Sequence, residues 1–404
     1  MRKINWKVPV RTAAFVLAAV LLLWVMSFIA SAGRAERVPD DAYATGRVLA
    51  HIDREEVFYG PDNSMRDLTL TFTAEVDGET VTATQTISDG IIAGDRREVA
   101  PGDRITLMNN APDGMAPNYV FTGYVRTGTL TVLAILFLLA MLAFGRGKGL
   151  AAAAALILCC AAVFGCFIPA VLAGRNIYLW TFIVCLYTTV STLLLIGGAG
   201  HKSLAAMLGC LGGTGFAALV MAIADRFLHM TGFLDDNTAF LLYLDTPEPI
   251  DLRALLYAAV LIGALGAVMD VAVDISSALH EISVKVEGAT FGTLFRSGIT
   301  IGRDLIGTMS NTLILAYIGS SLSIVLLLTG GSSTSLFYLL NQERIVFELL
   351  QALVGSFGIL STLPLTAAIS AWLMGRRAEV RDDYAELLEA AERDADSTNS
   401  LPPA

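Results

Sequence analysis

The chain is 404 residues long, 55% hydrophobic and only 16% charged, with a formal net charge of −10. An ordinary soluble domain is about 45–50% apolar and about 25% charged, so this composition excludes one, and the lack of a basic face excludes a nucleic-acid partner. Cys159, Cys160, Cys166, Cys185 and Cys210 all lie in apolar runs; they read as small buried hydrophobes, not as a disulfide framework.

Arg2, Lys3, Lys7 and Arg11 precede a first apolar run from Thr12 to Ala32. Ala30-Ser31-Ala32 looks like a cleavage site, but the run exceeds the roughly 7–15 residues of a signal core. It reads as an uncleaved first span. From Gly33 to Arg126 the pattern becomes alternating. In Leu68–Val76 the even positions are apolar and the odd ones polar, the period of a half-buried strand. Asp77-Gly78 is a tight-turn dipeptide, and Val81, Ala83 and Ile87 continue as the partner strand. Further strands are expected at Tyr43–Ile52, Arg104–Met108 and Tyr119–Val125, with Pro101-Gly102 as a turn. Such short strands predict a small barrel or sandwich, OB-like in the first case.

Apolar runs then follow at Leu130–Phe144, Leu150–Ala173, Leu179–Gly198, Leu204–Ala224, Leu255–Val273, Leu305–Leu328 and Ile345–Met374. Each approaches the roughly 17–25 residues that cross a bilayer. With the first they make about eight spans. Pro364 should kink the last. Between the fifth and sixth of these runs, residues 283–302 carry Phe291, Leu294, Phe295 and Ile299 on one side and Arg296 on the other, as in an amphipathic helix at the inner surface. No internal or inverted repeat is apparent.

Orientation follows from Lys and Arg near the span ends. With both termini in the cytosol, Arg146, Lys148, Lys202, Lys285, Arg296 and Arg303 join the basic N-terminus and tail inside, and the short outer loops keep only Arg175, Arg226, Arg253 and Arg344. The expected fold is therefore an all-α polytopic membrane helix bundle with an extracytoplasmic β domain between the first two spans. Residues 1–32 form the cytosolic stub and first span, 33–126 the β-rich domain, 127–374 the seven-span domain and 375–404 an acidic cytosolic tail. In that tail Tyr384–Glu389 suits a short amphipathic helix, and the closing Ser/Thr/Pro stretch suits disorder. The acidic loop with Asp235, Asp236, Asp245, Glu248 and Asp251 falls outside.

At 100° per residue, Asp270, Asp274, Ser277 and Glu281 lie within about 60° of one another, with Gly263 and Gly266 on the same line. The nine Leu, Ile and Val of Leu255–Val273 favour insertion by roughly 3–5 kcal/mol, and one central Asp opposes it by about 2.5–3.5. The carboxylates should therefore face a bundle or water. Asp270 lies about 22 Å beyond Leu255, in the cytosolic third, with Asp274 near the inner interface. On the next run Asp304, Thr308 and Asn311 share a face, with Arg303 beside them. A contact between the two stripes is expected from their matched depth. Glu348 and Gln351 lie near the outer end of the last run, with Gly355 and Gly358 below.

Intramembrane carboxylates bind a cation or carry a proton; otherwise they pair with Arg303 or cap helices. A protease dyad of Asp270 and Asp304 would need carboxyls about 3 Å apart, and the local sequences do not resemble one. His201, His229 and His280 lack metal-ligand spacing with Cys. Gly209, Gly212, Gly213 and Gly215 read as packing positions, with no phosphate-loop Lys after them.

GALGAVMDVAVDISSALHEI (263–282), FRSGITIGRDLIGTMSNTLILAYIGSSL (295–322) and ALVGSFGILSTLPLTA (352–367) resemble the signature regions of the YibE/F family of bacterial membrane proteins. GRGKGLAAAAALIL (145–158) with Ile168-Pro169, and the runs at 194–213 and 229–244, are similar too. The resemblance implies a multipass membrane protein of the permease or efflux type. By position Asp270, Ser277, Glu281, Arg303, Asp304, Thr308 and Asn311 fit its pattern; Asp274 stands where a small polar residue such as Ser is expected.

The leading expectation is a non-enzymatic plasma-membrane transporter or permease for an ion or small solute, with no cofactor and no metal centre. Its pathway residues would be Asp270, Asp274, Ser277, Glu281, Arg303, Asp304, Thr308 and Asn311. The expected partners are the lipid bilayer, a cation or proton, and a membrane partner or second copy. With no nucleotide-binding motif, an ion gradient or a partner ATPase would supply energy. The alternative is a scaffold or sensor whose β domain binds an extracellular partner.

Overall fold

A computed structural model describes residues 7–32, 43–59, 65–89, 97–111, 117–244, 246–286, 289–330 and 335–399. The chain divides into two compact units, Glu36–Ala140 and the combination of Met1–Ala35 with Met141–Ala404.

The smaller unit holds a closed barrel of β1 (Tyr43–Tyr59), β2 (Met65–Val76), β3 (Glu79–Ser88), β4 (Arg104–Asn109) and β5 (Tyr119–Tyr124), in the order β1-β2-β3-β5-β4. Alternation builds it. Leu68, Leu70, Phe72, Ala74 and Val76 are buried, and the threonines between them are not. Val76 pairs with Glu79 across Asp77-Gly78. Both turn residues have positive φ, 51° and 86°, as a two-residue hairpin with the right twist requires. β3 meets β5 in parallel through Ala83 and Tyr119, while β4 is antiparallel to both β1 and β5.

Two features depart from the expected pattern. β1 continues past Ile52 to Tyr59, because antiparallel pairing with β2 carries the charged stretch Asp53–Glu56 along as strand. And Gln85 points inward, 1% exposed. Its amide donates to Arg97 O at 2.8 Å and its carbonyl accepts from the Val99 N–H at 3.0 Å. That pair of bonds holds Val99 in the barrel core.

The larger unit is helical. In chain order the helical elements are α1 (Lys7–Ser31), α2 (Thr127–Ala162), a π turn at Val163–Phe167, α3 (Ile168–Leu172), α4 (Ile177–Gly197), α5 (His201–Leu228), α6 (Asp236–Phe240), α7 (Leu252–Lys285), α8 (Phe291–Ser320), α9 (Leu322–Gly330), α10 (Leu336–Leu340) and α11 (Glu343–Asn399); the part of α2 before Met141 belongs to the smaller unit. Side-chain caps set several starts. Asn176 accepts from Leu179 N, Asp251 from Ala254 N and Thr290 from Thr293 N, and each satisfies an otherwise orphan helix donor.

Among the described residues, six helical stretches are long and apolar enough to cross a membrane: Thr127–Gly145, Gly147–Leu172, Ile177–Gly197, His201–Leu228, Leu252–Lys285 and Glu343–Gly375. This is the make-up of a multi-pass membrane protein. The expected first span is the helix α1, whose apolar part Phe15–Ser31 is shorter.

The expected runs Leu130–Phe144 and Leu150–Ala173 appear as the separate apolar stretches Thr127–Gly145 and Gly147–Leu172; helical backbone continues between them, but the chain bends sharply there, because a Cβ on Gly149 would collide with the Met141 carbonyl. Three expectations need correction. The run Leu305–Leu328 is not one helix, since α8 ends at Ser320 and α9 restarts at Leu322. Residues 283–302 do not form a separate surface helix. They are the end of α7, a short link and the first turns of α8. Leu294 is fully buried, and Phe295 and Ile299 pack on the bundle core, because Gly298 lets α8 approach Ala367 and Leu279. In the tail, α11 continues as helix to Asn399, so Ser397 and Thr398 are helical; the last five positions lie outside the described residues, as does Asp245.

α11 is the central helix, packed on α5, α7 and α8. Small residues make this possible. A Cβ on Gly209 would overlap the Thr366 hydroxyl, and one on Gly213 the Thr362 hydroxyl. α5 and α11 therefore touch almost backbone to backbone.

Candidate functional site

The packing of α7 decides what its polar stripe can do. Leu265, Val268, Val271, Ala272, Ile275 and Leu279 turn into the core with α11 and α5. The opposite line of Gly263, Gly266, Asp270, Asp274 and Glu281 is exposed, and Ser277 is half-buried. The helical period thus gathers the α7 candidates on one open face. Among the described residues, no hydrogen bond or ion pair reaches Asp270 or Asp274. Glu281 pairs with Lys285 at 3.1 Å on the exposed end of the helix, which marks it as a surface group.

Contacts with α11 fix the depth. A Cβ on Gly358 would lie 3.0 Å from Val268 Cγ2, and Gly358 stands at the middle of the apolar stretch Glu343–Gly375. Asp270, half a turn beyond Val268, is therefore level with the centre of that stretch. It does not sit in one outer third. The reason is that α7 continues to Lys285, so its midpoint falls beyond that of the apolar run Leu255–Val273.

α8 brings the second stripe to the same level. Gly298 approaches Leu279 of α7, and Gly263 of α7 approaches the Tyr317 hydroxyl. Equal rise between these points sets Asp304 level with Asp274, and Thr308 level with Asp270. Matched depth holds, but the expected contact does not. Tyr317 reaches α7 and lies nine positions from Thr308, about half a turn around α8. The face of Asp304, Thr308 and Asn311 accordingly points away from α7. All three and Arg303 are exposed, and no hydrogen bond or ion pair joins the two stripes among the described residues. The dyad geometry of a protease is equally missing, because Asp270 and Asp304 lie on different faces.

Beside the α7 stripe a groove of about 450 Å³ runs between α2, α4 and α7, lined in part by Gly266, Met269, Cys159, Thr188 and Thr192. Its walls are apolar apart from thiol and hydroxyl groups; Cys159 Sγ lies 3.2 Å from Thr192 Oγ1. Farther along, Glu348 belongs with Arg344, 3.9 Å away, which also pairs with Asp235. The Glu343 carboxylate accepts from Thr231 N and Oγ1 and from Gly232 N. These groups hold the loop before α6 against the start of α11.

Sequence reasoning missed one polar feature. Thr362, Thr366 and Ser370 follow each other at one-turn intervals on α11, all fully buried. Among the described residues, the hydroxyls of Thr366 and Ser370, and that of Ser203 on α5, have no hydrogen-bond partner. The i, i+4, i+8 spacing opposite Gly209 and Gly213 was the available signal.

Comparison with curated proteins and with solved structures finds no significant match. The sequence model described as YibE/F-like protein matches residues 133–376, well over half the chain. That stretch takes in α7, α8 and the apolar part of α11, so the two polar stripes and the helix between them lie inside the matched region. The chain belongs to the YibE/F-like protein family.

Proposed function

We propose that this membrane protein is a transporter or permease of the plasma membrane for an ion or small cationic solute, a proton included. The observation that carries the reading is Asp270. It is an exposed, unpaired carboxylate on α7, level with the middle of the apolar stretch of α11. An Asp at that depth opposes insertion by about 2.5–3.5 kcal/mol unless water or a partner meets it. Ionisable groups so placed mark ion and proton paths. Asp274 one turn on, and Ser277 after it, extend the same line toward the helix end. Any path along it has the α2–α4 groove on one side. The reading takes the protein to be non-enzymatic, with both termini in the cytosol on the Lys and Arg distribution.

The test is flux. Full-length protein in liposomes should carry a cation or proton current that Asp270→Asn abolishes while the variant folds normally. An Asn variant with full flux, or full cellular function, defeats the proposal.

One observation favours a second reading, a sensor or scaffold. The barrel's strand order and its parallel β3–β5 closure suit an OB-like module, extracytoplasmic in the expected topology. Among the described residues, β1 pairs only with β2 from Ala50 onward, and Ile52, Val57 and Phe58 are exposed there. Such an edge can accept a strand from a partner.

A further inference from the structure

The outward face of α8 is incomplete in a single chain. Gly302 approaches Leu363, and a Cβ on Gly355 would meet Leu313. α8 therefore runs antiparallel beside the apolar stretch of α11, and the segment between Gly302 and Leu313 is level with its middle. In that segment Arg303, Asp304, Gly307, Thr308 and Asn311 are all exposed. At mid-bilayer an Arg or an Asp costs about 2.5–3.5 kcal/mol each when placed alone. Lipid does not cover such a face. Either water or protein does.

The pattern on the face selects protein of one kind. At 100° per residue its centre line runs through Thr300, Gly307 and Asn311, with Arg303 about 60° to one side and Asp304 about 40° to the other. Two copies in one membrane share their orientation, so a two-fold axis between them lies along the membrane normal. Facing parallel helices then set the left flank of one against the right flank of the other, as in a parallel coiled coil. Arg303 of each copy meets Asp304 of the other, and the two residues differ in depth by only about 1.5 Å. Gly307 on the centre line has nothing within 4 Å of its added Cβ, and so leaves room for close approach. Asn311 faces its own counterpart one turn on. A strip with one charge on each flank is complementary to itself.

We infer that the occupant of this face is a second copy of the chain, and that the protein is a two-fold dimer along α8 with crossed Arg303–Asp304 pairs. The inference goes beyond the transport reading and does not depend on it. It removes Arg303, Asp304, Thr308 and Asn311 from the α7 path and gives them to the interface.

The test uses the full chain in lipid nanodiscs and in detergent, with mass measured by native mass spectrometry and light scattering. Wild type should be a dimer. Arg303→Asp and Asp304→Arg should each weaken self-association at least tenfold. Co-expressed with different tags, the two single variants should pair with each other, because one copy then carries two acids and its mate two bases. Gly307→Leu should also give monomer, with an unchanged melting temperature for the monomer, since that position is open in the single chain. A monomeric wild type, single variants that still self-associate, the absence of the mixed pair, or purification with a different membrane protein in place of a second copy would each overturn the inference.

Discussion

Replacing Asp270 by Leu separates a wet carboxylate from a buried defect by both sign and size. The nine Leu, Ile and Val between Leu255 and Val273 favour insertion of this part of α7 by roughly 3–5 kcal/mol, and an Asp at mid-depth in hydrocarbon takes back about 2.5–3.5 of it. If Asp270 faced lipid, Asp270→Leu would stabilise the fold by about 3 kcal/mol. If it faces water on a solute path, the charge is already hydrated, and leucine gains little and exposes an apolar side chain. The expected outcome is a stability change under about 1 kcal/mol, together with loss of flux. Stability is read from reversible unfolding by SDS in mixed micelles, and flux from tracer uptake in liposomes made from the same preparation. A leucine variant about 3 kcal/mol more stable than wild type, with uptake intact, refutes the reasoning at its root.

Gly209→Ala and Gly213→Ala should each destabilise the bundle by about 1–3 kcal/mol, because the new methyl meets the hydroxyl of Thr366 or Thr362; the same unfolding assay reads it. Gly266→Ala, whose added Cβ has nothing within 4 Å, serves as the control and should be neutral or slightly stabilising. Asp235 gives a pH dependence. The Thr238 N–H is the largest influence and holds its carboxyl below the usual range; burial opposes it, and the Arg344 guanidinium adds to the lowering. A depressed folded value contributes stability above the unfolded value of about 3.9 and loses it as pH falls through the folded one. Hydrogen exchange at Leu234–Thr238 should therefore accelerate in that acid window, and Asp235→Asn should remove the step.

The barrel was legible because a strand with one wet face alternates, and Leu68–Val76 does so without a break. The far half of β1 was not, since Asp53–Glu56 has no period and is strand only because β2 pairs with it. Gln85 could not be placed inward from sequence; its partners, Arg97 and Val99, are remote in the chain. In the bundle the stripes on α7 and α8 were legible from helical period alone. What lay beyond reach was the direction of the second stripe. A helix has no sequence mark for which neighbour it leans on. That α8 leans chiefly on α11 follows from Gly298 and Gly302 meeting Ala367 and Leu363.

The two acids of α7 should not be equivalent, and their difference bears on the mechanism. Asp270 is level with the middle of the apolar stretch, while Asp274 is one turn, about 6 Å, nearer the end that carries Lys285. The resemblance to YibE/F proteins implies a small polar residue at position 274. A carboxylate nearer the interface is easily hydrated, so it can raise the local cation concentration without being the group that must be visited. Asp274→Ser should therefore keep maximal flux within about twofold while raising the half-saturating cation concentration, more at low than at high ionic strength. Asp270→Ser should abolish flux at every salt concentration. If the serine at 274 abolishes transport as completely as the one at 270, the two carboxylates act as a single site, and the distinction drawn from their depths is wrong.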